Sequence, residues 1–75
     1  MDKDLELFKK KLGKRIADFR EKKGLTQPQL GALLNKDFQS ISRLENGRVN
    51  ASGYLLKQIA KSLGVTMNEL FDFEA

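Results

Sequence analysis

The chain has 75 residues, no cysteine, no histidine and a formal net charge of +4. This length accommodates one domain with a single small hydrophobic core. Because disulfides and thiolate or imidazole metal sites are excluded, the fold must depend on helix packing. No apolar run approaches the length of a membrane span, and the acidic first residues are unlike a signal peptide. We therefore expect a cytoplasmic protein without a cofactor.

The acidic residues are concentrated at the two ends of the chain. Residues 7 to 68 hold thirteen of the basic residues and only four acidic ones, a balance of +9. A basic body with acidic ends suits a polyanionic partner. The same distribution is also typical of a charged surface that keeps a small domain in solution, so charge alone does not decide between the two interpretations.

Apolar residues at steps of three and four predict a long first helix. It begins near Asp2 or Asp4 and ends at Lys23, before Gly24. Glycine after two lysines is a strong helix C-terminus, because cations favour the negative end of the helix dipole. One face of the helix carries the apolar residues Leu5, Phe8, Leu12, Ile16 and Phe19.

A second, shorter helix is predicted over residues 27 to 34. Thr26 and Gln29 form a capping box, in which each side chain accepts a hydrogen bond from the backbone N–H of the other. Pro28 falls in the first turn, where its missing N–H has no cost. Gly31 is unfavourable inside a helix by roughly 1 kcal/mol relative to alanine. A small residue at this position indicates that the third helix crosses close to the backbone there.

A polar turn and a third helix follow. Asn35 can adopt the left-handed conformation that ends the second helix, and Asp37 is a suitable N-cap for a third helix over residues 38 to 46. Ile41 and Leu44 lie on one side of this helix, whereas its other side is polar. Two helices joined by such a turn form a helix-turn-helix, here residues 26 to 47, whose second helix can enter a DNA major groove.

Two more helices are predicted after a loop. Ser52 caps the first of them, which ends at Leu63. Thr66 and Glu69 form a second capping box, which begins a short helix over residues 67 to 72. No segment has the alternating pattern of a strand. We therefore predict an all-α fold of five helices.

Four short motifs occur in order along the chain. They are Leu12-Gly13-Lys14-Arg15-Ile16, Arg20 followed by Gly24-Leu25-Thr26-Gln27, Ile41-Ser42-Arg43-Leu44-Glu45-Asn46-Gly47, and Ile59-Ala60-Lys61-Ser62-Leu63-Gly64-Val65. In this order and spacing they resemble the phage repressor and Cro-like (Xre-type) family of helix-turn-helix regulators, over about residues 12 to 71. The resemblance implies a compact, five-helix, lambda-repressor-like DNA-binding domain, here a single domain over residues 1 to 75.

The resemblance implies that the third helix is the recognition helix. By position, Gln39 and Arg43, with Ser42 and Phe38 beside them, fall where this family reads base edges. Arginine can donate two hydrogen bonds to guanine O6 and N7, and glutamine can pair with adenine N6 and N7. Phe38 either folds inward, which is favoured slightly, or touches thymine methyl groups. On composition alone, this polar face would be an ordinary solvated helix surface.

The same resemblance implies phosphate contacts at both ends of the helix-turn-helix. Gln27, at the start of the second helix, and Asn46, at the end of the third, present N–H donors where the family grips phosphates. The helix dipole adds to the attraction at Gln27. We also predict phosphate contacts from Ser40, Lys36 and Arg48.

Arg20 and Glu45 are paired in this family, which implies a tether between the first helix and the end of the third. A partly buried pair contributes little net stability. Removing one partner, however, leaves the other charge buried and costs about 3–5 kcal/mol. The alternative is that the two residues are unrelated surface charges.

A single helix-turn-helix reads too few base pairs for specificity in a genome, and the family usually binds as twofold dimers on half-sites about 34 Å apart. We predict a homodimer on a palindromic operator, at least when DNA is bound. The candidate interface residues are Val49, Tyr54, Met67, Phe71 and Phe73, with Leu70 as the weakest candidate. The alternative for Met67, Leu70 and Phe71 is the domain's own core, whereas Phe73 has no evident core role.

Together these features predict a sequence-specific transcriptional regulator that binds double-stranded DNA, with no small-molecule ligand evident. A phage-type repressor, a restriction-modification controller protein and an antitoxin share the expected fold, and the small size favours a controller or an autoregulatory repressor. A protein-interaction module is the second class, and only DNA binding would weaken steeply with salt. An enzyme is not expected, because the residues for acid, base and nucleophile are missing.

Overall fold

The computed structural model describes residues 2 to 73 and contains five α-helices within them. They are α1 (Lys3–Lys22), α2 (Gln27–Leu34), α3 (Phe38–Glu45), α4 (Gly53–Leu63) and α5 (Met67–Leu70). No strand occurs in this part of the chain. The prediction of an all-α, five-helix fold with a helix-turn-helix at α2 and α3 is confirmed. None of the described helices is long and apolar enough to cross a membrane.

All five helices contribute side chains to one hydrophobic core. Its buried residues are Leu12, Ile16, Leu30, Leu34, Ile41, Leu44, Leu56, Ile59, Ala60, Leu63 and Leu70. Burying a leucine or isoleucine side chain contributes roughly 1.5–3 kcal/mol. Because α2 and α3 each supply two of these large side chains, core burial fixes both helices of the helix-turn-helix against the rest of the fold.

Each helix begins at a side chain that accepts a hydrogen bond from a backbone N–H of the first turn. The five N-caps are Asp2, Thr26, Asp37, Ser52 and Thr66. At α2 and α5 a glutamine or glutamate in the first turn returns a hydrogen bond to the cap, so both predicted capping boxes are present. The helix starts are therefore determined by residues a few positions apart.

Three of the five helices end one or two residues earlier than predicted, whereas α2 and α4 end at the predicted residues. The third ends at Glu45 instead of residue 46, because Asn46 has left the helical conformation, with φ −89° and ψ 6°. The fifth ends at Leu70 instead of residue 72, because Phe71 has a similar backbone, with φ −94° and ψ 4°. The first ends at Lys22, one residue early. Such shortening is common where the last turn of a helix tightens.

Two glycines allow the backbones of neighbouring elements to touch. A Cβ atom added at Gly13 of α1 would lie 2.5 Å from the carbonyl oxygens of Leu44 and Glu45 in α3. A Cβ atom added at Gly31 of α2 would lie 2.5 Å from the carbonyl oxygen of Lys36, in the turn before α3. The close approach indicated by Gly31 therefore exists, but it involves the turn and not α3 itself.

Candidate nucleic-acid interface

The turn between α2 and α3 depends on a left-handed residue. Asn35 has φ 57° and ψ 44°, and within residues 2 to 73 it is the only non-glycine residue with a positive φ. The backbone N–H of Lys36 donates to the carbonyl oxygen of Gly31 at 2.8 Å, which satisfies one of the carbonyls at the end of α2. The turn thereby places the exposed side chain of Lys36 next to the start of α3.

Asp37 caps the first turn of α3. Its Oδ1 accepts a hydrogen bond from the backbone N–H of Ser40 at 2.8 Å. This bond, together with one from the Ser40 side chain, lowers the pKa of Asp37 below its ordinary value. The carboxylate is therefore ionised at neutral pH and complements the positive end of the helix dipole.

The face of α3 that points away from the core is polar and accessible. Gln39 and Arg43 are exposed, and Ser42 between them is half-buried. Within residues 2 to 73, the side chains of Gln39 and Arg43 form neither a hydrogen bond nor an ion pair. This face therefore offers a guanidinium fork and an amide, the two groups best suited to pairing with base edges.

Phe38 occupies the first position of α3 and is 51% exposed. It does not belong to the hydrophobic core. It is also absent from the partly buried hydrophobic residues packed against that core, so the slightly favoured inward folding is wrong. Its exposed ring forms an apolar patch next to Gln39.

Arg20 and Glu45 are joined by two hydrogen bonds, from Nε to Oε2 at 2.6 Å and from Nη2 to Oε1 at 3.0 Å. Arg20 also donates to the carbonyl oxygen of Leu25 at 2.8 Å, and Glu45 accepts from Nε2 of Gln27 at 2.9 Å. The two charged side chains are only 11% and 6% exposed. The hydrogen bonds with Glu45 raise the pKa of Arg20, whereas burial acts in the opposite direction.

This network connects three helices beneath the polar face. Arg20 comes from α1, Gln27 from α2 and Glu45 from α3. Sequence reasoning assigned Gln27 to phosphate binding alone and missed its contact with Glu45. The two residues are 18 positions apart, and no local pattern links them, so the contact is evident only in the folded chain.

The other predicted phosphate-binding residues lie at both ends of α3. Lys36 and Ser40 are exposed near its start, and Asn46 and Arg48 are exposed after its end. Nδ2 of Asn46 donates to the carbonyl oxygen of Ser42 at 2.9 Å and, at the longer distance of 3.4 Å, to Oγ of Ser42. These contacts orient the side chain at the end of α3.

Among the residues predicted for a dimer interface, those near the C-terminus also have contacts inside the chain. Leu70 is fully buried and belongs to the core, in line with its alternative interpretation. Phe71 and Phe73 pack on Phe8 of α1, with ring centroids 6.0 Å and 5.6 Å apart. The expectation that Phe73 lacks a core role is wrong, because the turn after α5 brings its ring back over α1.

The remaining predicted interface residues differ in exposure. Val49 and Met67 are half-buried against the core. Tyr54 is 71% exposed and lies with Leu33, which is 58% exposed, along a shallow groove between α2 and α4. Among the predicted interface residues, Tyr54 therefore has the side chain most accessible to a partner chain.

The family relationship follows from the sequence as well as from this geometry. The chain matches the sequence model of the helix-turn-helix family HTH_3 over residues 16–70, which is more than half of its length. It belongs to this family of DNA-binding transcriptional regulators. The predicted Xre-type resemblance is confirmed, and so is the expectation of a regulator and not an enzyme.

Three relatives are similar to this chain along most of their length. The uncharacterized HTH-type transcriptional regulator y4dJ of Sinorhizobium fredii is 39% identical over 63 residues, covering 84% of this chain and 82% of the relative. The control protein C.MunI of a Mycoplasma species is 36% identical over 65 residues, covering 85% and 88%. The restriction-modification controller protein C.AhdI from Aeromonas hydrophila has a TM-score of 0.85 at 31% identity, covering 91% and 99%.

Proposed function

We propose that this protein regulates transcription in the cytoplasm by binding a specific double-stranded DNA sequence, as a homodimer on a palindromic operator. The observation that carries the proposal is the outer face of α3. Gln39 and Arg43 extend from it with no partner inside residues 2 to 73, although the helix itself is capped, buried on its other side and tied to α1 and α2. A rigid helix with unpaired base-pairing groups suits the major groove.

The proposed roles follow the geometry of the helix-turn-helix. Arg43 and Gln39 read bases, with Ser42 and Phe38 beside them. The phosphate ligands are Gln27, Asn46, Ser40, Lys36 and Arg48. The positions at both ends of α3 suit this division, because phosphate contacts position a protein on DNA and base contacts specify the sequence.

The type of regulator is proposed from the relatives. C.MunI is named a control protein, and C.AhdI is described as a restriction-modification controller. This chain covers 99% of C.AhdI at 31% identity. These likenesses favour a small controller or autoregulatory repressor over a phage-type repressor or an antitoxin.

Selection of bound duplexes from a random pool tests the proposal. We expect a palindromic consensus with a guanine in each half-site. Arg43→Ala should weaken binding to that consensus by about 1–3 kcal/mol per half-site, the range for one bidentate base contact. Replacing the guanine should no longer change the affinity of this variant for the duplex, as measured by fluorescence anisotropy.

Lys57→Ala is the matched control, because Lys57 is an exposed cation on α4 and its loss changes the net charge equally. This variant should retain the wild-type preference for guanine. Tight binding by the wild type without any sequence preference would contradict the proposal. Binding that does not weaken as salt rises would also contradict it.

A further inference from the structure

A polar groove separates the first half of α1 from the end of α3. Its lining side chains are Glu6, Lys9 and Lys10 of α1, and Arg43, Asn46 and Arg48 at the end of α3 and in the loop after it. The groove therefore joins one proposed base-reading residue and two proposed phosphate ligands to two lysines that have no assigned role. We call it the α1–α3 groove.

Backbone contact holds the two walls of the α1–α3 groove together. A Cβ atom added at Gly47 would lie 2.8 Å from both Cα and Cγ of Lys10. One turn further along α1, Gly13 lies against the carbonyl oxygens of Leu44 and Glu45. Lys10 is therefore held at a fixed position beside the C-terminal end of α3, although its ammonium group is at the end of a flexible stem.

The charges in the groove are not balanced within the described chain. Nζ of Lys9 lies 3.2 Å from a carboxylate oxygen of Glu6, and the Lys9 side chain is only 16% exposed. Lys10, Arg43 and Arg48 are exposed, and within residues 2 to 73 none of them forms an ion pair. The groove thus combines one neutralised lysine with three accessible cations and an amide, a composition that attracts anionic oxygen.

We propose that Lys10 binds a phosphate of the DNA backbone, next to the phosphates bound by Asn46 and Arg48. This inference rests on the proposed function and extends it by one further contact. Lys10 lies outside residues 16–70, which match the family, so the contact comes from the first turns of this chain's long α1. Because Asn46 and Arg48 line the same groove as Lys10, phosphates that they bind would lie beside Lys10.

The test is the salt dependence of binding by a Lys10→Gln variant. Glutamine keeps Cγ, which lies against Gly47, and removes the charge. Each phosphate contact contributes about 0.9 to the slope of log affinity against log salt, so a dimer that loses two contacts should lose about 1.8. The ratio of wild-type affinity to variant affinity should therefore fall by about 12-fold when the salt concentration rises from 50 to 200 mM.

Two further variants and a second duplex make the result specific. Lys57→Gln removes the same charge from α4, away from the groove, and should keep the wild-type slope. Lys10→Arg keeps the charge and should also keep that slope. On an unrelated duplex, Lys10→Gln should lower the slope by the same amount, because a phosphate contact carries no sequence information. Thermal melting should show that all three variants are folded.

Equal slopes for Lys10→Gln and Lys57→Gln would overturn the inference, and so would a loss confined to the selected operator. Either result leaves the proposed function intact as long as the wild type binds its operator selectively. A wild type that binds no DNA, or binds it without sequence preference, contradicts the proposed function itself. The two failures are therefore distinguishable in one set of titrations.

Discussion

At the scale of single residues, Glu45 is the side chain on which the site depends most. It lies on α3 next to the proposed phosphate ligand Asn46, but its carboxylate points inward and accepts hydrogen bonds from Arg20 and Gln27. Every buried polar side-chain atom within residues 2 to 73 has a hydrogen-bond partner. Removing Glu45 would leave a buried guanidinium without its main acceptors.

We expect Glu45→Ala to lower the free energy of unfolding by about 3–5 kcal/mol, the usual cost of breaking a buried ion pair from one side. The loss should exceed the effect of the substitution on any single base contact. Thermal and urea denaturation measure it directly.

Glu21→Ala is the matched control, because Glu21 also faces Arg20, at 3.7 Å, but its side chain is 67% exposed. Solvent screens such a pair, so we expect a change within about 0.5 kcal/mol. If Glu45→Ala melted like the wild type, the buried network would have no role in holding α1, α2 and α3 together.

At the scale of helices, α3 depends on its neighbours. It has eight residues, and helices this short are not stable alone in water. Its start is held by the Asp37 cap and its last turn touches the backbone of α1 at Gly13. The orientation of the proposed base-reading face is therefore fixed by the α1–α3 contact, which no side chain larger than glycine's can occupy.

Gly13→Ala should force α1 and α3 apart, because its Cβ would lie 2.5 Å from two backbone carbonyl oxygens. We expect a loss of about 1–3 kcal/mol, which is typical of overpacking, and weaker DNA binding in the remaining folded protein. Denaturant titration and DNA binding below the melting temperature measure these two effects.

Gly53→Ala provides the comparison, since a Cβ atom at Gly53 meets nothing within 4 Å. Gly53 is the first residue of α4, where alanine has the higher helix propensity. This variant should be neutral or more stable by up to about 1 kcal/mol. Similar losses for both glycines would show that steric contact at Gly13 is not the cause.

At the scale of the whole molecule, the dimensions suit a pair of copies on DNA. The described chain measures 32 × 24 × 20 Å. Half-sites one helical turn apart are separated by about 34 Å, so two copies side by side can place one α3 in each. Because a single helix-turn-helix reads only a few base pairs, the proposed homodimer would also account for specificity.

We expect two chains on each operator, as measured by light scattering of the complex. Insertion of five base pairs between the half-sites turns them to opposite faces of the duplex, since one turn is about 10.5 base pairs. Affinity should then fall to that of a single half-site, whereas a ten-base-pair insertion should restore the alignment in part. One chain per operator, or indifference to the five-base-pair insertion, would contradict the proposed homodimer.

Much of the fold could be predicted because its signals are local. The capping boxes, the left-handed Asn35 and the 3.6-residue periodicity each involve residues a few positions apart, and all of them appear in the structure. The core followed from the same periodicity, with Leu5 as an exception: it lies on the predicted apolar face of α1 but is 37% exposed. The roles proposed for Gln39 and Arg43 came from position in a motif, and the structure adds that both are accessible.

The sequence by itself determined the five helices, their caps, the polar face of α3 and membership of a helix-turn-helix family, because these depend on short-range hydrogen bonds and on periodic burial. Only the tertiary structure decided which distant residues meet. It joined Gln27 to Glu45, folded Phe73 onto Phe8 and placed Lys10 against Gly47. Such contacts depend on how helices cross, and the crossings are set by the packing of the whole core.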